Sequence, residues 1–278
     1  MYILDIAAGL IAIRFQAKGP NYATVSACAS SGNAIGEAFR TIAYGDADVM
    51  IAGGAEAAVS IMAIGGFASM GALSTRNDSP ETASRPFDVT RDGFVLGEGG
   101  GMVVLEELSH ARARGAKIYG EVAGYGATGD AYHITGQPDD HEGLQRAMRR
   151  AIQDAGLALT DIDYVNAHGT STPMNDANEI RAIKKVFGEH ARTMNVSSTK
   201  SATGHTLGAA GAIEFIITTL AVHNSIVPPT INLHSKDPEC DIDCTPNTPV
   251  RRTVRSALSN SSGFGGHNVS IAVRQFVG

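Results

Sequence analysis

The chain has 278 residues, 43% hydrophobic and 18% charged, values near globular averages that exclude wholesale disorder and fibrous repeats and allow a substantial buried core. The 22 Lys and Arg against 28 Asp and Glu leave a net charge of −6, which excludes the global positive field of a generic nucleic-acid binder. The cysteines, Cys28, Cys240 and Cys244, are too few for a disulfide framework and point to a reducing, cytoplasmic setting.

In chain order, Met1 to Phe15 is apolar but too short to span a membrane and lacks a basic leader, so it reads as part of a folded element. Tyr22 to Ala27 reads as a strand running at Cys28 into a helix, Gly32 to Tyr44, whose apolar positions Ile35, Ala38, Phe39 and Ile42 have helical spacing. Short apolar runs predict strands at Asp48–Ala52, Gly101–Leu105, Gly120–Ala123, Ile162–Ala167, Met194–Ser197, Ser256–Leu258 and Val269–Val273. Between them, His141 to Ala155 places Leu144, Met148, Ala151, Ile152 and Ala155 on one face and ends at Gly156. A second helix, Ala177 to Phe187, has Asn175 and Asp176 as candidate caps. Leu207 to His223 is apolar nearly all round, which predicts a core helix. Its opening Gly208, Ala209, Ala210 and Gly211 allow close backbone approach. Alternating strands and helices make the chain α/β, with Gly115 to Ile118 as an internal boundary.

Cys28 sits at a strand-to-helix junction among small neighbours. A helix start favours the nucleophilic thiolate, and a buried structural cysteine is the competing reading. His168, in Asn166-Ala-His168-Gly-Thr-Ser-Thr-Pro173, follows an apolar strand, and His205, in Ser198-Thr-Lys200-Ser-Ala-Thr-Gly-His205, precedes the apolar helix. Each alone reads as a structural histidine, but together with Cys28 they fit nucleophilic catalysis. Lys200 is either a surface charge or part of this group, with Glu179 as its candidate ion-pair partner. Asn260 to Asn268 reads as a glycine-rich loop around Phe264 that matches neither phosphate-binding fingerprint. Cys240 and Cys244 have no second pair or histidines at finger spacing, which argues against structural zinc. The other histidines, His133 included, carry no ligand spacing.

Taken together, Ser26-Ala-Cys28, the His168 and Lys200/His205 motifs and Gly263-Phe-Gly-Gly266 resemble the β-ketoacyl-[acyl-carrier-protein] synthases, specifically the elongating type II condensing enzymes within the thiolase-like superfamily. The likeness runs through Tyr44-Gly-Asp-Ala-Asp48, Arg85-Pro-Phe-Asp88, Arg91-Asp-Gly-Phe-Val-Leu-Gly97 and Pro228-Pro-Thr-Ile-Asn232. It implies a layered α-β-α-β-α architecture, with residues 1–116 as the remainder of an N-terminal half carrying the nucleophile and 117–278 as a C-terminal half carrying both histidines.

The resemblance further implies that Cys28 takes an acyl group from acyl carrier protein and that the N–H groups of Cys28 and Phe264 form an oxyanion hole. His168 and His205 then stabilise the enolate left by decarboxylation of a malonyl thioester, and the product is a 3-ketoacyl chain of fatty-acid elongation. Lys200 with Glu179 would order the histidines, Phe264 would gate the site, and Thr135, Thr170 and Thr172 would hold the phosphopantetheine arm. No cofactor is required; a structural monovalent cation would lie near Asn166, Glu214, Asn260 and Ser261. The implied partners are acyl carrier protein and a second copy in a homodimer, with no nucleic acid or membrane.

The chain departs from the family at three places. Only 27 residues precede Cys28, which implies an incomplete first half. Ser262 replaces a usual phenylalanine of the gating loop, and Gly71 replaces a carrier-docking arginine. The alternatives are an inactive fragment, a non-catalytic partner subunit (disfavoured by Cys28), and a polyketide ketosynthase. A cysteine hydrolase would leave the second histidine and Lys200 unexplained.

Overall fold

The computed structural model describes residues 3–278. Helix α1 (Ile6–Phe15) is followed by an extended segment, a 3-10 turn at Ala27–Ala29 and α2 (Ser30–Ala43). Then come β1 (Val49–Glu56), α3 (Ile61–Ser69), β2 (Gly99–Glu106), α4 (Leu108–Ala113), β3 (Glu121–Gly129) and α5 (Glu142–Asp154). Next are β4 (Tyr164–Asn166), α6 (Pro173–Phe187), β5 (Asn195–Ser197), α7 (Lys200–Thr203) and α8 (Ala210–Asn224). The short pair β6 (Ile226–Val227) and β7 (Val250–Arg251) precedes the final hairpin, β8 (Ser256–Gly263) and β9 (His267–Arg274). Met1 and Tyr2, the start of the first apolar run, lie outside the described residues.

Five strands form one mixed sheet in the order β3-β9-β8-β4-β5. β3, β9 and β8 pair antiparallel, whereas β4 runs parallel to both β8 and β5. On one face α5 and α6 bury Leu144, Met148, Ile152, Ile180 and Ile183 against Val165, Val196 and Leu258. On the other, α2 and α8 bury Ile35, Ala38, Ala212 and Phe215 against Tyr164, Ala257, Val269 and Ile271. Full burial of each larger side chain contributes about 1.5–3 kcal/mol. The antiparallel pair β1–β2 lies beyond α2 and α8, giving β-α-β-α layering in the thiolase-like manner. Val49, Ile51, Met102 and Val104 of that pair are exposed, because alternate residues of a strand point to its opposite face. Helix α8 with its preceding turn, Leu207–Asn224, is apolar and long enough to cross a membrane, and 50% of it is buried within the fold.

Several sequence expectations shift for local reasons. Tyr22 to Ala27 is no strand: it has no ladder partner among the described residues, and Tyr22 and Val25 are exposed. Helix α6 starts at Pro173 with Thr172 as the cap, so Asn175 and Asp176 lie buried inside its first turns; proline suits the first helical position because its missing N–H has no partner there. Asn260 to Asn268 is mostly strand, with only Phe264 to Gly266 turning. Gly71, φ +66, closes α3 in the left-handed conformation, where an arginine would be strained.

Helix α5 approaches β3 closely because the strand presents glycine. A Cβ at Gly126 would lie 2.1 Å from the Ala147 carbonyl oxygen, a clash with backbone that cannot rotate away. Gly126→Ala is expected to lower unfolding free energy by about 3 kcal/mol, checked by the urea midpoint with unchanged slope; an unaltered midpoint would show that α5 can retreat freely.

Candidate active site

The extended segment reaches the site through Ala27, a non-glycine residue at φ +50. Such backbone persists where surrounding packing over-determines it. Here it turns the chain sharply so that Cys28 stands ahead of α2. Ser30 Oγ receives the Ser26 N–H at 2.9 Å and donates to the Ala27 carbonyl at 2.7 Å, clamping the turn. Across from it, Gly263 brings β8 against the same backbone: a Cβ there would lie 2.5 Å from the Ser26 carbonyl oxygen and 3.2 Å from the Cys28 nitrogen. Cys28 is 8% exposed. Contrary to the expectation from a helix start alone, its thiol is pushed up to about 11: burial outweighs the lowering influences of Lys200 and the Cys28 N–H.

The structure brings both sequence-identified histidines to this thiol. His205 Nε2 lies 3.1 Å from Cys28 Sγ. The His168 ring stands edge-on to the His205 ring at a centroid distance of 5.3 Å, and Phe94 packs edge-on on His205, also at 5.3 Å. Both imidazoles are held well below their ordinary pKa, first by burial, then by the Lys200 charge. Lys200 Nζ lies 3.3 Å from His168 Nδ1. An ammonium can only donate, so Nδ1 accepts and the neutral His168 ring carries its proton on Nε2.

The expected Lys200–Glu179 pair is replaced by another. Lys200 forms its ion pair with Glu214 of α8, and both side chains are buried. Glu179 instead accepts the His168 and Gly169 backbone N–H groups at 2.9 and 2.8 Å, because α6 delivers its carboxylate beneath the loop after β4. Burial raises both carboxyls above their ordinary range, with Lys200 opposing. Glu214 was legible as the single carboxylate in an otherwise apolar helix, a signal for an ion-pair partner as well as for a cation ligand.

A cavity of ≈1170 Å³ opens beside these groups. Its walls include Ala8, Ile11 and Phe15 of α1, Ile51 of β1, and Cys28, His168, His205 and Phe264; Thr135, Thr170 and Thr172 also line it. Thr170 and Thr172 share a hydroxyl hydrogen bond of 2.9 Å. His133 accepts the Thr135 and Gly136 N–H groups, a turn-forming role.

The four residues assigned to a cation divide between two faces of the sheet. Asn166 donates to the Glu214 carbonyl at 3.2 Å, and Ser261 Oγ faces Gly32 and Gly211 of α2 and α8. Glu214 Oε2 is buried without a hydrogen-bond partner, a donor atom suited to a cation. The Asn260 side chain points to the opposite face, donating to Glu179 at 3.4 Å and accepting from Ser270 at 2.9 Å. These four side chains therefore do not encircle one ion; Asn166, Glu214 and Ser261 share a face.

The family profile for the beta-ketoacyl synthase N-terminal domain matches residues 2–111, and that for the beta-ketoacyl synthase C-terminal domain matches 119–234. The chain belongs to the beta-ketoacyl synthase family. It is 55% identical over 276 residues to 3-oxoacyl-[acyl-carrier-protein] synthase 2 of Synechocystis sp., covering 99% of this chain and 66% of that protein. The counterpart of Rhizobium meliloti is 53% identical with the same coverage. The chain thus spans just under two thirds of the length of these curated relatives. Among solved structures, a type II PKS ketosynthase in complex with its acyl-carrier protein matches with a TM-score of 0.97 at 40% identity, covering 99% of this chain and 68% of that one. A beta-ketoacyl synthase from Burkholderia phymatum gives 0.93 at 42% identity, covering 98% and 66%.

Within this cluster, two residues carried no strong sequence signal. Phe94 contacts His205 from a glycine-flanked stretch without periodicity. Asp176 accepts the Phe87 and Ser171 N–H groups and faces Arg91 at 3.5 Å, tying the motif loops together. The neutral thiol yields a direct prediction. Iodoacetamide alkylation of Cys28, followed by mass spectrometry, should accelerate roughly tenfold per pH unit from about pH 7 to about pH 9 without levelling; a plateau below pH 8 would instead mark a thiolate–imidazolium pair.

Proposed function

We propose that this chain carries the condensing site of fatty-acid elongation, joining an acyl group on Cys28 to a malonyl unit delivered by acyl carrier protein. The observation that supports this most is the Cys28 Sγ–His205 Nε2 distance of 3.1 Å beside a second buried histidine whose tautomer is set by Lys200. In acyl transfer the Cys28 thiol gives its proton to solvent, its sulfur, held by the His205 Nε2–H, attacks the carrier thioester, and the C–S bond to the carrier breaks, the carrier thiolate taking up a proton from solvent. The N–H groups of Cys28 and Phe264 receive the charge developing on oxygen.

In condensation, His168 and His205 donate Nε2–H hydrogen bonds to the malonyl thioester oxygen. The bond to the carboxylate breaks, carbon dioxide leaves, and the electron pair becomes an enolate. Its carbon attacks the acyl-Cys28 carbonyl, the C–S bond breaks, and Cys28 regains a proton from solvent. The product is a 3-ketoacyl thioester two carbons longer. Lys200 and Glu214 hold the charge pattern, Glu179 holds the His168 loop, and Thr135, Thr170 and Thr172 line the path of the phosphopantetheine arm. Phe264 serves as the gate at the cavity.

The same reading includes a cytoplasmic setting, supported by the free thiols of Cys28, Cys240 and Cys244. It also includes a homodimer, supported by exposed apolar side chains such as Ile61 and Met62 of α3, and two halves meeting at residues 116 and 117. A monovalent cation, if held, would use Asn166, Glu214 and Ser261 and would act structurally. The polyketide reading has one support of its own, the 0.97 TM-score to a type II PKS ketosynthase.

Mass spectrometry of the purified chain with acyl- and malonyl-carrier protein tests the proposal. The expected result is an acyl adduct on Cys28 and a 3-ketoacyl product, both absent in Cys28→Ala. His168→Ala should still form the adduct while product formation falls by about 10²–10³-fold; loss of the adduct as well would contradict the separate role of His168, and a folded wild-type chain without adduct would refute the function.

A further inference from the structure

His141 is a buried histidine that the chemistry above does not use. It is 0% exposed, occupies the cap position of α5 at φ +47, and has Nδ1 without a hydrogen-bond partner. Its Nε2 lies 3.0 Å from Asn268 Oδ1 and 3.3 Å from Ser262 Oγ. Asn268 directs its amide Nδ2 to Asp130 Oδ1 at 2.7 Å and to the Gly266 carbonyl at 3.3 Å, so its Oδ1 is the acceptor. Ser262 donates to that oxygen at 2.9 Å, and His141 must donate to it as well, which fixes the proton on Nε2. Burial keeps the ring neutral against the nearby carboxylates Asp130 and Asp140. Gly143 makes the arrangement possible, since a Cβ there would meet Asp130 Oδ1 at 2.0 Å and Asn268 Nδ2 at 2.5 Å.

All of these bonds converge on the turn carrying Phe264. Ser262 and Asn268 are the second cross-strand pair of β8 and β9 from the turn, next to Gly263 and His267. The Gly266 carbonyl also receives the Asp130 N–H at 2.9 Å, and Gly265 donates to the Ile134 carbonyl at 2.7 Å. Within the turn, Gly265 and Gly266 have φ +91 and +77, so its own backbone does little to select one conformation. Phe264 lines the cavity while remaining 37% exposed. The small Ser262 hydroxyl admits the imidazole, which bridges the start of α5 to the base of the turn.

We propose that His141 is a positioning residue for the Phe264 turn, its Nε2–H donation to Asn268 and its contact with Ser262 setting how far the aromatic ring closes the cavity to long acyl chains. This deepens the function proposed above and rests on it for the acyl substrate. The small Cys28-directed reagent iodoacetamide needs far less of the opening than a palmitoyl group does. Disturbing His141 should therefore change discrimination by chain length rather than thiol reactivity.

The test compares the full wild-type chain with His141→Ala, His141→Asn and Ser262→Ala. Acyl transfer to Cys28 from acetyl- and palmitoyl-pantetheine is followed by mass spectrometry, alongside iodoacetamide alkylation and hydrogen–deuterium exchange of residues 262–268. In His141→Ala the palmitoyl-to-acetyl rate ratio should change by about fivefold or more, an effect of about 1 kcal/mol on one step. Exchange across the turn should rise and alkylation should stay within about twofold of wild type. Asparagine, which retains a donor, should restore most of both changes, and Ser262→Ala should move them in the same direction as His141→Ala. An unchanged ratio and exchange, or an equal slowing of alkylation and both thioesters with general loss of protection, would overturn the proposal. A wild type that takes neither acyl group refutes the functional reading instead, and turn exchange in the variants then decides the positioning role alone.

Discussion

The ammonium of Lys200, 1% exposed, is the constraint around which the site is arranged. An ion of that size taken from water costs several kcal/mol, and the attraction of a buried partner offsets this only with good geometry and further hydrogen bonds. Glu214 supplies the opposite charge from α8, and His168 Nδ1 supplies a further acceptor. An apolar pair of similar volume would serve stability as well, so the pair is better understood through its effects on neighbours. Its ammonium adds to burial, the larger cause, in lowering the pKa of both imidazoles, and it sets the tautomer of one. Because Glu214 satisfies the lysine, Glu179 is free to bind backbone: two buried carboxylates from helices on opposite faces of the sheet take different tasks, one holding a charge and the other a loop.

Topology brings these groups together. Strands β4, β5 and β8 run parallel, so their C-terminal ends share one edge of the sheet, where α/β proteins commonly place their sites. His168 follows β4, Lys200 follows β5 and Phe264 follows β8. Helices α2 and α8 start at the same edge and touch closely: a Cβ on Gly211 would lie 2.7 Å from the Gly32 nitrogen. Cys28 precedes one of these helices and His205 the other. Small residues at both helix starts therefore determine whether a sulfur and an imidazole separated by 177 positions can meet.

Much of this was legible in the sequence because its signal is local. The α5 face, the apolar α8 and most strands follow from periodicity or apolar runs, and Cys28, His168 and His205 stand in small-residue motifs beside them. What was not legible depends on partners distant in sequence. Tyr22 to Ala27 has strand composition but no neighbouring strand to complete a ladder. Ser259 to Gly263 has loop composition yet is a largely buried strand, because it pairs with β9 along its length and the Asn260 and Ser262 side chains find hydrogen-bond partners. The choice between Glu179 and Glu214 for Lys200 could not be made from spacing, since both lie on helices whose rotation about the sheet decides which carboxylate reaches the ammonium. The raised Cys28 pKa was missed for a similar reason: helix-start electrostatics are visible in sequence, whereas desolvation is a property of the assembled walls.

A neutral resting site suits the proposed condensation better than a charged one. If His168 or His205 were imidazolium, the enolate formed on loss of carbon dioxide would face a strong acid at hydrogen-bond distance and would be quenched by protonation before carbon–carbon bond formation. A neutral Nε2–H can stabilise the developing oxyanion while holding its own proton far more tightly. Burial and, after it, the adjacent Lys200 charge favour neutral rings at both positions, and Lys200 sets the Nε2–H tautomer at His168. In that proposed role the buried ammonium adds to burial in disfavouring a second cation on either imidazole, from a position behind the His168 ring.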